Sequence, residues 1–584
     1  MDLRLPTAPA TEAEERAVDA VLGPPPDGPA GTVLPAPDGR VAYGGHAARR
    51  QRHLLLPGLL ALQDASGWIS PGGLGYLCER LTVPPAEAYG VASFYALLNV
   101  EDRGPVTVHV CDDVACAGAG ERLIDELAAR PDLRVVRSPC LGACDRAPAC
   151  AVQRAGSRLG AAAPATAALE PTAPHVEVHQ DRDRLRLLKR VDLADPGDLD
   201  DYVAHDGGDA LTRAVALGPE GVLEELERSG LRGRGGAAFP IGRKWRAVRD
   251  EPGPRHIVAN GDESEPGTFK DRLLMEGDPF AIVEALAIGA LVVGADRGWI
   301  YVRGEYPDSV GRLEHAVDTA ARAGWLDHVE VTVRTGAGAY ICGEETALFR
   351  SIEGHRGEPA QKPPYPNEAG LFGRPTAVNN IETLAAVLDV LTTGGDAYAG
   401  MGTGRSTGTK LFSVSGAVAD PGVYEVPMGT PLGDLLSEAG GVSGSSRIGA
   451  VLLGGAAGVF AGPADLDVPL SFEAAAERGL TLGSGAVVVF DDATDFGPVV
   501  RRIARFFAEE SCGQCVPCRI GTVRQHEALV RLGSGRTLGT VDDERHRLAD
   551  LDAVMTDASI CGLGRTAASA VRSALRLGLR GVVA

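Results

Sequence analysis

HIVANGDESEPGTFKDRLLMEGDPFAIVEALAIGALVVGADRGWIYVRGEY (256–306) is the stretch that decides the fold. It holds a strand (HIVA, 256–259), a polar loop, an apolar helix (279–295) and a second strand (WIYVR, 299–303). Outward from it the alternation continues with a helix over 308–324, a strand VEVTV (329–333) and a helix near 342–353. Such alternation predicts a mostly parallel sheet covered by helices. The longest nearly apolar run, AIVEALAIGALVVGA (281–295), has 15 residues and contains Glu284. A membrane-spanning helix takes about 20 residues, so this run reads as a buried helix.

The polar segments follow the strands. Strand 256–259 ends in NGDESEPGTFKD, strand 299–303 in GEY, and strand 329–333 in RTGAGAYICGEET. Open α/β sheets bind ligands at the carboxyl ends of their strands. One rim is therefore expected to carry Asn260, Asp262, Glu263, Glu265, Glu344 and Glu345. So many acids cannot be phosphate ligands, but they can accept hydrogen bonds from ribityl and ribose hydroxyls or from water. Any one of them taken singly reads equally well as a solvated loop residue.

Upstream lies LRGRGGAAFPIGRKW (231–245). Gly233-x-Gly235-x-x-Ala238 matches a dinucleotide fingerprint only superficially, because GPEGVLEELERSG before it reads as a helix where the fingerprint needs a strand. A glycine-rich loop still lets backbone N–H groups approach a phosphate, with Arg234 and Lys244 available for charge. An ordinary turn is the plain alternative. The chain has five lysines (189, 244, 270, 362, 410) against 52 arginines. Lys244, Lys270 and Lys362 lie in or beside the glycine-rich motifs, where a compact point charge suits.

At about 150 residues per domain, 584 residues predict three or four domains. Residues 1–104 read as a helical bundle, opened by a capping box from Thr11 to Glu14. Residues 105–155 read as β-α-β (VTVHV, GERLIDELAAR, LRVVR) with cysteines at the loop ends. Residues 156–195 begin Ala/Pro-rich and read as a linker. The α/β unit spans 196–405, a β-grasp-like module 406–490, and a helical bundle 491–584. A net charge of −21 disfavours nucleic acid and anionic membranes as partners. The N-terminus has no apolar signal-peptide core. A cytoplasmic protein follows, free or peripheral to a membrane complex, with no span of its own. In that reducing compartment the 11 cysteines are metal ligands or free thiols rather than disulfides.

Cys512-Gly-Gln-Cys515-Val-Pro-Cys518, with Cys561 downstream, is a tight three-thiolate loop plus a distant fourth ligand. That spacing favours a [4Fe–4S] cluster over zinc, whose Cys₄ sites more often use two separated pairs. Cys111-x₄-Cys116 and Cys140-x₃-Cys144 each follow a strand and can present four thiolates to a [2Fe–2S] centre, although zinc or inert core thiols fit the same spacing. Cys150 fits neither pair. Cys78 and Cys342 read as small buried hydrophobes.

GLRGRGGAAFPIGRKW, ANGDESEPGTFKDR, GAGAYICGEETAL, KPPYP, RPTAVNNIETL and ESCGQCVPCRIGT…SICGLGRTA together resemble the NADH-binding flavoprotein subunit of respiratory complex I. They resemble equally the diaphorase subunits of soluble NAD-dependent formate dehydrogenases and NAD-reducing hydrogenases. GVASFYALLNV through CLGACDRAP resembles the companion thioredoxin-like [2Fe–2S] subunit, fused here to the first. The resemblance implies a multidomain α/β protein. Its parts would be a helical bundle with a thioredoxin-like [2Fe–2S] domain, a parallel FMN-binding domain, an SLBB-type module and a C-terminal [4Fe–4S] bundle.

It also implies FMN held by Gly233, Gly235, Gly236, Lys244, Asn260, Asp262, Gly343, Glu344, Asn379, Asn380 and Thr383. NAD(H) would stack over the flavin beside Phe239 and Tyr365, with Glu265, Glu345 and Lys362 as polar neighbours and Tyr340 lining the site. The resemblance assigns the [4Fe–4S] centre to Cys512, Cys515, Cys518 and Cys561, and the [2Fe–2S] centre to Cys111, Cys116, Cys140 and Cys144. Ile241 stands where the family usually has Thr, and Ala247 where some complex I members carry an aromatic. Only 23 residues separate Cys116 from Cys140, fewer than usual.

The implied activity is NADH:acceptor oxidoreduction of the NADH dehydrogenase type. NADH gives two electrons as a hydride and iron–sulfur clusters take one at a time, so a flavin must stand between them. No catalytic side chain is required; Glu345 and Glu265 are the nearest candidates. The fusion, the AAFP form of the loop and CGLG at the last cysteine point to the soluble formate dehydrogenase or hydrogenase type, with molybdopterin, hydrogenase or other iron–sulfur subunits as partners. The alternatives are a complex I component and, outside enzymes, a zinc-stapled scaffold that binds nucleotide.

Overall fold

The computed structural model describes residues 2–4, 6–24, 41–43, 50–174, 176–444 and 446–583. Its centre is a four-stranded sheet in the order Thr376–Asn380, Arg255–Gly261, Ala295–Val302, Glu330–Thr335, with every pairing parallel. The expected alternation is therefore present, with one strand more than the sequence reading supplied. TAVNN (376–380) is short and polar at its end, and gives little periodic signal.

The two faces of this sheet explain the rest of the architecture. Side chains alternate along a strand. Ile257 and Ala259 point into a core built from helices Asp209–Ser229, Pro279–Val293 and Ile381–Thr393. Val258, Trp299 and Tyr301 point the other way. There they share a second core with N-terminal helices Leu55–Ser66 and Pro71–Leu81 and with C-terminal helix Phe496–Glu509. From Pro279 to Ala290 every residue of the apolar helix is buried. No described helix is long and apolar enough to cross a membrane. The β-grasp-like module is a five-stranded mixed sheet with its own core around Phe412, Val414 and Leu435.

The N-terminal half differs from expectation in two ways. The stretch read as a linker is built structure. Gly160–Ala162 is a strand that pairs antiparallel with Cys150–Arg154, completing a four-stranded sheet with Val106–Cys111 and Arg134–Ser138. Further on, Leu187, Leu188 and Val191 are buried against the central domain, and the Glu425 carboxylate accepts from the backbone N–H groups of Arg186, Leu187 and Leu188. Small alanines fit a sheet edge without leaving a strand pattern, and a carboxylate capping backbone N–H groups leaves no periodicity at all.

Nor is the cysteine-bearing unit loosely tethered. Arg502 and Arg505 on Phe496–Glu509 pair with Asp112 at 3.0 and 2.7 Å, and Arg502 lies 3.5 Å from Asp113. Arg272 binds Asp145 through both carboxylate oxygens at 2.9 Å. Arg303 donates to the Cys140 carbonyl at 2.7 Å and to the Glu263 carbonyl at 2.6 Å. Gly142 (φ +69°) presses so closely on Tyr306 that an added Cβ would lie 2.0 Å from the phenol oxygen.

Burial alone would push the Asp112 carboxyl up, yet Arg502, Arg505 and Arg137 together hold it below its ordinary value. Removing one partner of a buried pair costs about 3–5 kcal/mol when the other charge is left uncompensated. Arg502→Ala leaves Arg505 and Arg137 on Asp112 but takes the arginine from buried Asp113, so it should lower unfolding free energy by about 1–3 kcal/mol in chemical denaturation. A change below about 1 kcal/mol would show that the junction does not hold the unit in place.

Candidate functional site

The carboxyl rim of the parallel sheet faces the glycine-rich loop. Helix Asp209–Ser229 precedes that loop, and Ile241–Arg249 follows it. The chain turns back on itself between them, with Gly233 N–H donating to the Phe239 carbonyl at 2.9 Å. Gly235 sits so close to Asn380 that a Cβ would approach Asn380 Cβ to 3.0 Å, and Gly236 adopts φ +114°. Gly235 and Gly236 are exposed, so their N–H groups can meet a ligand. Arg234, expected to offer charge there, turns inward instead. It is fully buried and donates to the Thr407 carbonyl (2.6 Å) and Tyr398 hydroxyl (3.3 Å), while its own N–H donates to Thr383 Oγ1 (2.8 Å).

Lys244 donates to the Val378 carbonyl at 2.9 Å, and burial lowers its pKa. Asn260 Nδ2 donates to the Gly343 carbonyl at 3.0 Å, and the Asp262 N–H donates to Asn260 Oδ1 at 3.0 Å. Asn379 accepts from Trp245 Nε1 at 3.2 Å, and Asn380 donates to Asp271 at 2.6 Å. Among the described residues, buried polar atoms on this rim without a protein partner include Asp262 Oδ2, Asn379 Nδ2 and Asn380 Oδ1. Buried polar groups are almost always satisfied. A mixture of donors and acceptors, open loop N–H groups and one lysine fits a phosphate-bearing polyol, and so fits FMN.

The acids of the rim divide by role. Glu263 is buried and accepts from the N–H groups of Asp271 and Arg272, so it braces the loop rather than facing a ligand. Glu344 caps helix Glu345–Ile352 through the N–H groups of Thr346 and Ala347. Lys362 bridges Glu344 at 3.0 Å and Glu345 at 2.6 Å. Glu265 accepts from the Tyr340 hydroxyl at 2.7 Å and the Ala457 N–H at 2.8 Å. Phe239 and Tyr365 leave their rings about half exposed.

Two cysteine nests flank this rim. Cys111 contacts Cys116 and Cys140, and Cys140 lies 3.3 Å from Cys144. Hydrogen bonds from Cys111 and Cys144 hold Cys140 well below the ordinary thiol range, while Cys111 and Cys144 are pushed up. The Gly142 N–H also points at the Cys140 sulfur (3.4 Å). Cys512, Cys515, Cys518 and Cys561 line one small pocket with Ile341, Pro359 and Leu563. Burial pushes Cys518 up to about 12 and Cys561 up to about 11. Metal binding displaces such protons, and both all-sulfur donor sets fit iron–sulfur clusters. Tyr340 stands between rim and pocket: its N–H donates to Glu510 at 2.9 Å, its hydroxyl to Glu265, and its ring meets Phe506 edge-on at 5.0 Å.

Sequence reasoning missed the buried charges beneath the rim. Lys270 pairs with Asp271 (2.7 Å) and Glu382 (2.9 Å), and Glu382 also meets Lys410 (3.5 Å). The scarcity of lysine had marked Lys270 but not Lys410 or Glu382.

Burial pushes Glu265 up from 4.5 to about 7. A raised folded pKa means that the folded state holds the proton more tightly. The resulting stability is full below the unfolded value and is lost as pH rises through about 7. Glu265→Gln stays neutral throughout. Its thermal stability should match the wild type near pH 5 and exceed it near pH 8; parallel pH profiles would contradict this.

Comparison with known proteins agrees with this geometry. Family models match for the Nuo51 FMN-binding domain (226–389), the NADH-ubiquinone oxidoreductase-F iron-sulfur binding region (498–577), a thioredoxin-like [2Fe-2S] ferredoxin (45–161) and an SLBB domain (411–453). The F subunit of NADH-quinone oxidoreductase from Aquifex aeolicus is 40% identical over 398 residues, 67% of this chain and 91% of its own. The HndC subunit of an NADP-reducing hydrogenase from Solidesulfovibrio fructosivorans is 40% identical over 68% of this chain and 82% of its own. The crystal structure of an NAD+-reducing [NiFe]-hydrogenase in the air-oxidized state contains a chain that superposes with a TM-score of 0.78 at 33% identity, over 90% of this chain and 93% of that one. The chain belongs to the flavoprotein family that includes the F subunit of NADH-quinone oxidoreductase, joined here to a thioredoxin-like [2Fe-2S] unit.

Proposed function

We propose that the chain is the NADH-handling diaphorase module of a multi-subunit electron-transfer complex in the cytoplasm. The observation that carries this reading is the set of unsatisfied polar atoms on Asp262, Asn379 and Asn380, opposite open loop N–H groups and between two four-cysteine nests. Bound FMN supplies the conversion between a hydride pair and the single electrons that iron–sulfur clusters carry. The N–H groups of Gly235 and Gly236 and the side chain of Lys244 would hold its phosphate. Asp262, Asn379 and Asn380 would orient its polar groups. Phe239 and Tyr365 offer ring faces to the nicotinamide nucleotide. The Glu344–Lys362–Glu345 cluster keeps a net negative charge beside it, which suits ribose hydroxyls and repels a 2′-phosphate.

A soluble hydrogenase or formate dehydrogenase assembly is the favoured context. The NAD+-reducing hydrogenase chain superposes on 90% of this one, so its likeness extends into the N-terminal module. A complex I component is the second reading, favoured by the 91% coverage of the Aquifex protein.

The protein purified without oxygen should reduce a small artificial acceptor with NADH, with kcat/KM at least about tenfold above that for NADPH. Cys140→Ser should keep this activity and lose a [2Fe–2S] spectrum, because the Arg303 contact is to the Cys140 backbone and survives. Cys515→Ser should lose the other cluster and block delivery to the natural partner. Equal use of both nucleotides, or an unchanged spectrum and iron content in Cys140→Ser, would overturn the respective assignment.

A further inference from the structure

A cavity of about 310 Å³ lies at the outer edge of the parallel sheet, beyond the carboxyl ends of strands Ala295–Val302 and Glu330–Thr335, where three parts of the chain meet. Pro57 and Leu60 come from the N-terminal bundle, Leu159 from the thioredoxin-like unit, and Val310 and Val333 from the central domain. Its volume is at the lower end of small-molecule sites, which begin at about 300 Å³.

Its walls are mostly apolar, but two buried donors that line it have no acceptor among the described residues. Arg334, on edge strand Glu330–Thr335, is 7% exposed and makes no hydrogen bond or ion pair among the described residues. Its guanidinium lies over the Trp299 ring at 5.4 Å. Gln63 is 1% exposed; its Oε1 accepts from the Asn99 N–H at 3.0 Å, which fixes the amide, and its Nε2 has no partner among the described residues. Burial lowers the Arg334 pKa to about 10, and no carboxylate compensates. A buried guanidinium without a counter-charge is costly, as is a buried amide donor without an acceptor.

We propose that this cavity is a binding site for a small apolar monocarboxylate, its carboxylate on Arg334 and its hydrocarbon body along Leu60, Leu159, Val310 and Val333. The planar guanidinium matches a carboxylate through paired hydrogen bonds. Both orphan groups are donors, so the ligand's polar end must be an acceptor. Asp64, Glu314 and Arg158 also line the cavity; Arg158 lies 3.8 Å from Glu314 and offsets it, so Asp64 is the acid that a second negative charge on the ligand would meet. That disfavours phosphate and dicarboxylates. An occupant touching all three parts of the chain would strengthen their junction.

The test titrates the intact protein with octanoate, octanol and inorganic phosphate, following heat of binding and melting temperature. Octanoate should bind saturably and raise the melting temperature by at least about 2 °C, while octanol and phosphate should not. Arg334→Gln should weaken octanoate binding at least about tenfold. Leu60→Trp keeps the arginine but fills the cavity, and should abolish binding even if Arg334→Gln fails to fold. Absence of octanoate binding, equal binding of octanol, preference for phosphate, or undiminished binding in Leu60→Trp would each overturn the proposal.

Discussion

A buried ammonium holds the rim of this protein together. Lys270 has no solvent exposure and pairs with Asp271 and Glu382, and Glu382 reaches on to Lys410 in the β-grasp-like module. Asp271 receives the Asn380 side chain and the Glu382 N–H, and Glu382 receives the Leu411 N–H. Three segments distant in sequence are thereby tied at one point: the 262–271 loop, the strand-to-helix junction at 380–382, and the strand at 409–416. Such a network is strong when every charge is compensated and fails when one is removed. The open loop N–H groups and the orphan atoms of Asp262, Asn379 and Asn380 take their positions from it.

The second constraint is the two-faced sheet. One face carries the central domain's own helices, and the other is shared by the N-terminal and C-terminal helices. The two cysteine nests consequently belong to elements pressed against one scaffold, with Arg502 and Arg505 reaching from the C-terminal helix to the loop after Cys111. Tyr340, bonded to Glu265 and packed on Phe506, joins the rim to the element that leads into Cys512. A module passing single electrons needs this rigidity, because its redox groups must keep fixed separations.

Much of this was legible in the sequence. Strand–helix alternation from 256 to 353 gave the parallel sheet, since period 2 and period 3.6 differ plainly in long segments. The cysteine spacings gave both nests, and the polar segments after the strands gave the rim. What escaped was set by long-range contact. Arg234 lies in a glycine-rich loop that looks phosphate-facing, yet its side chain is taken inward by Thr407 and Tyr398. Glu263 sits among ligand-facing acids but serves backbone N–H groups. The alanine-rich run before 175 joins a sheet edge, and the segment at 186–188 is captured by Glu425, more than two hundred residues away.

What the rim and the two nests hold decides whether this chain is a flavin and iron–sulfur module. Flavin and metal analysis of the protein purified without oxygen, with the metal identified by mass spectrometry, addresses this directly. The account predicts one FMN and about six irons per chain, four in one cluster and two in the other, with matching acid-labile sulfide. A colourless protein carrying zinc, or one with iron but no flavin, would contradict it.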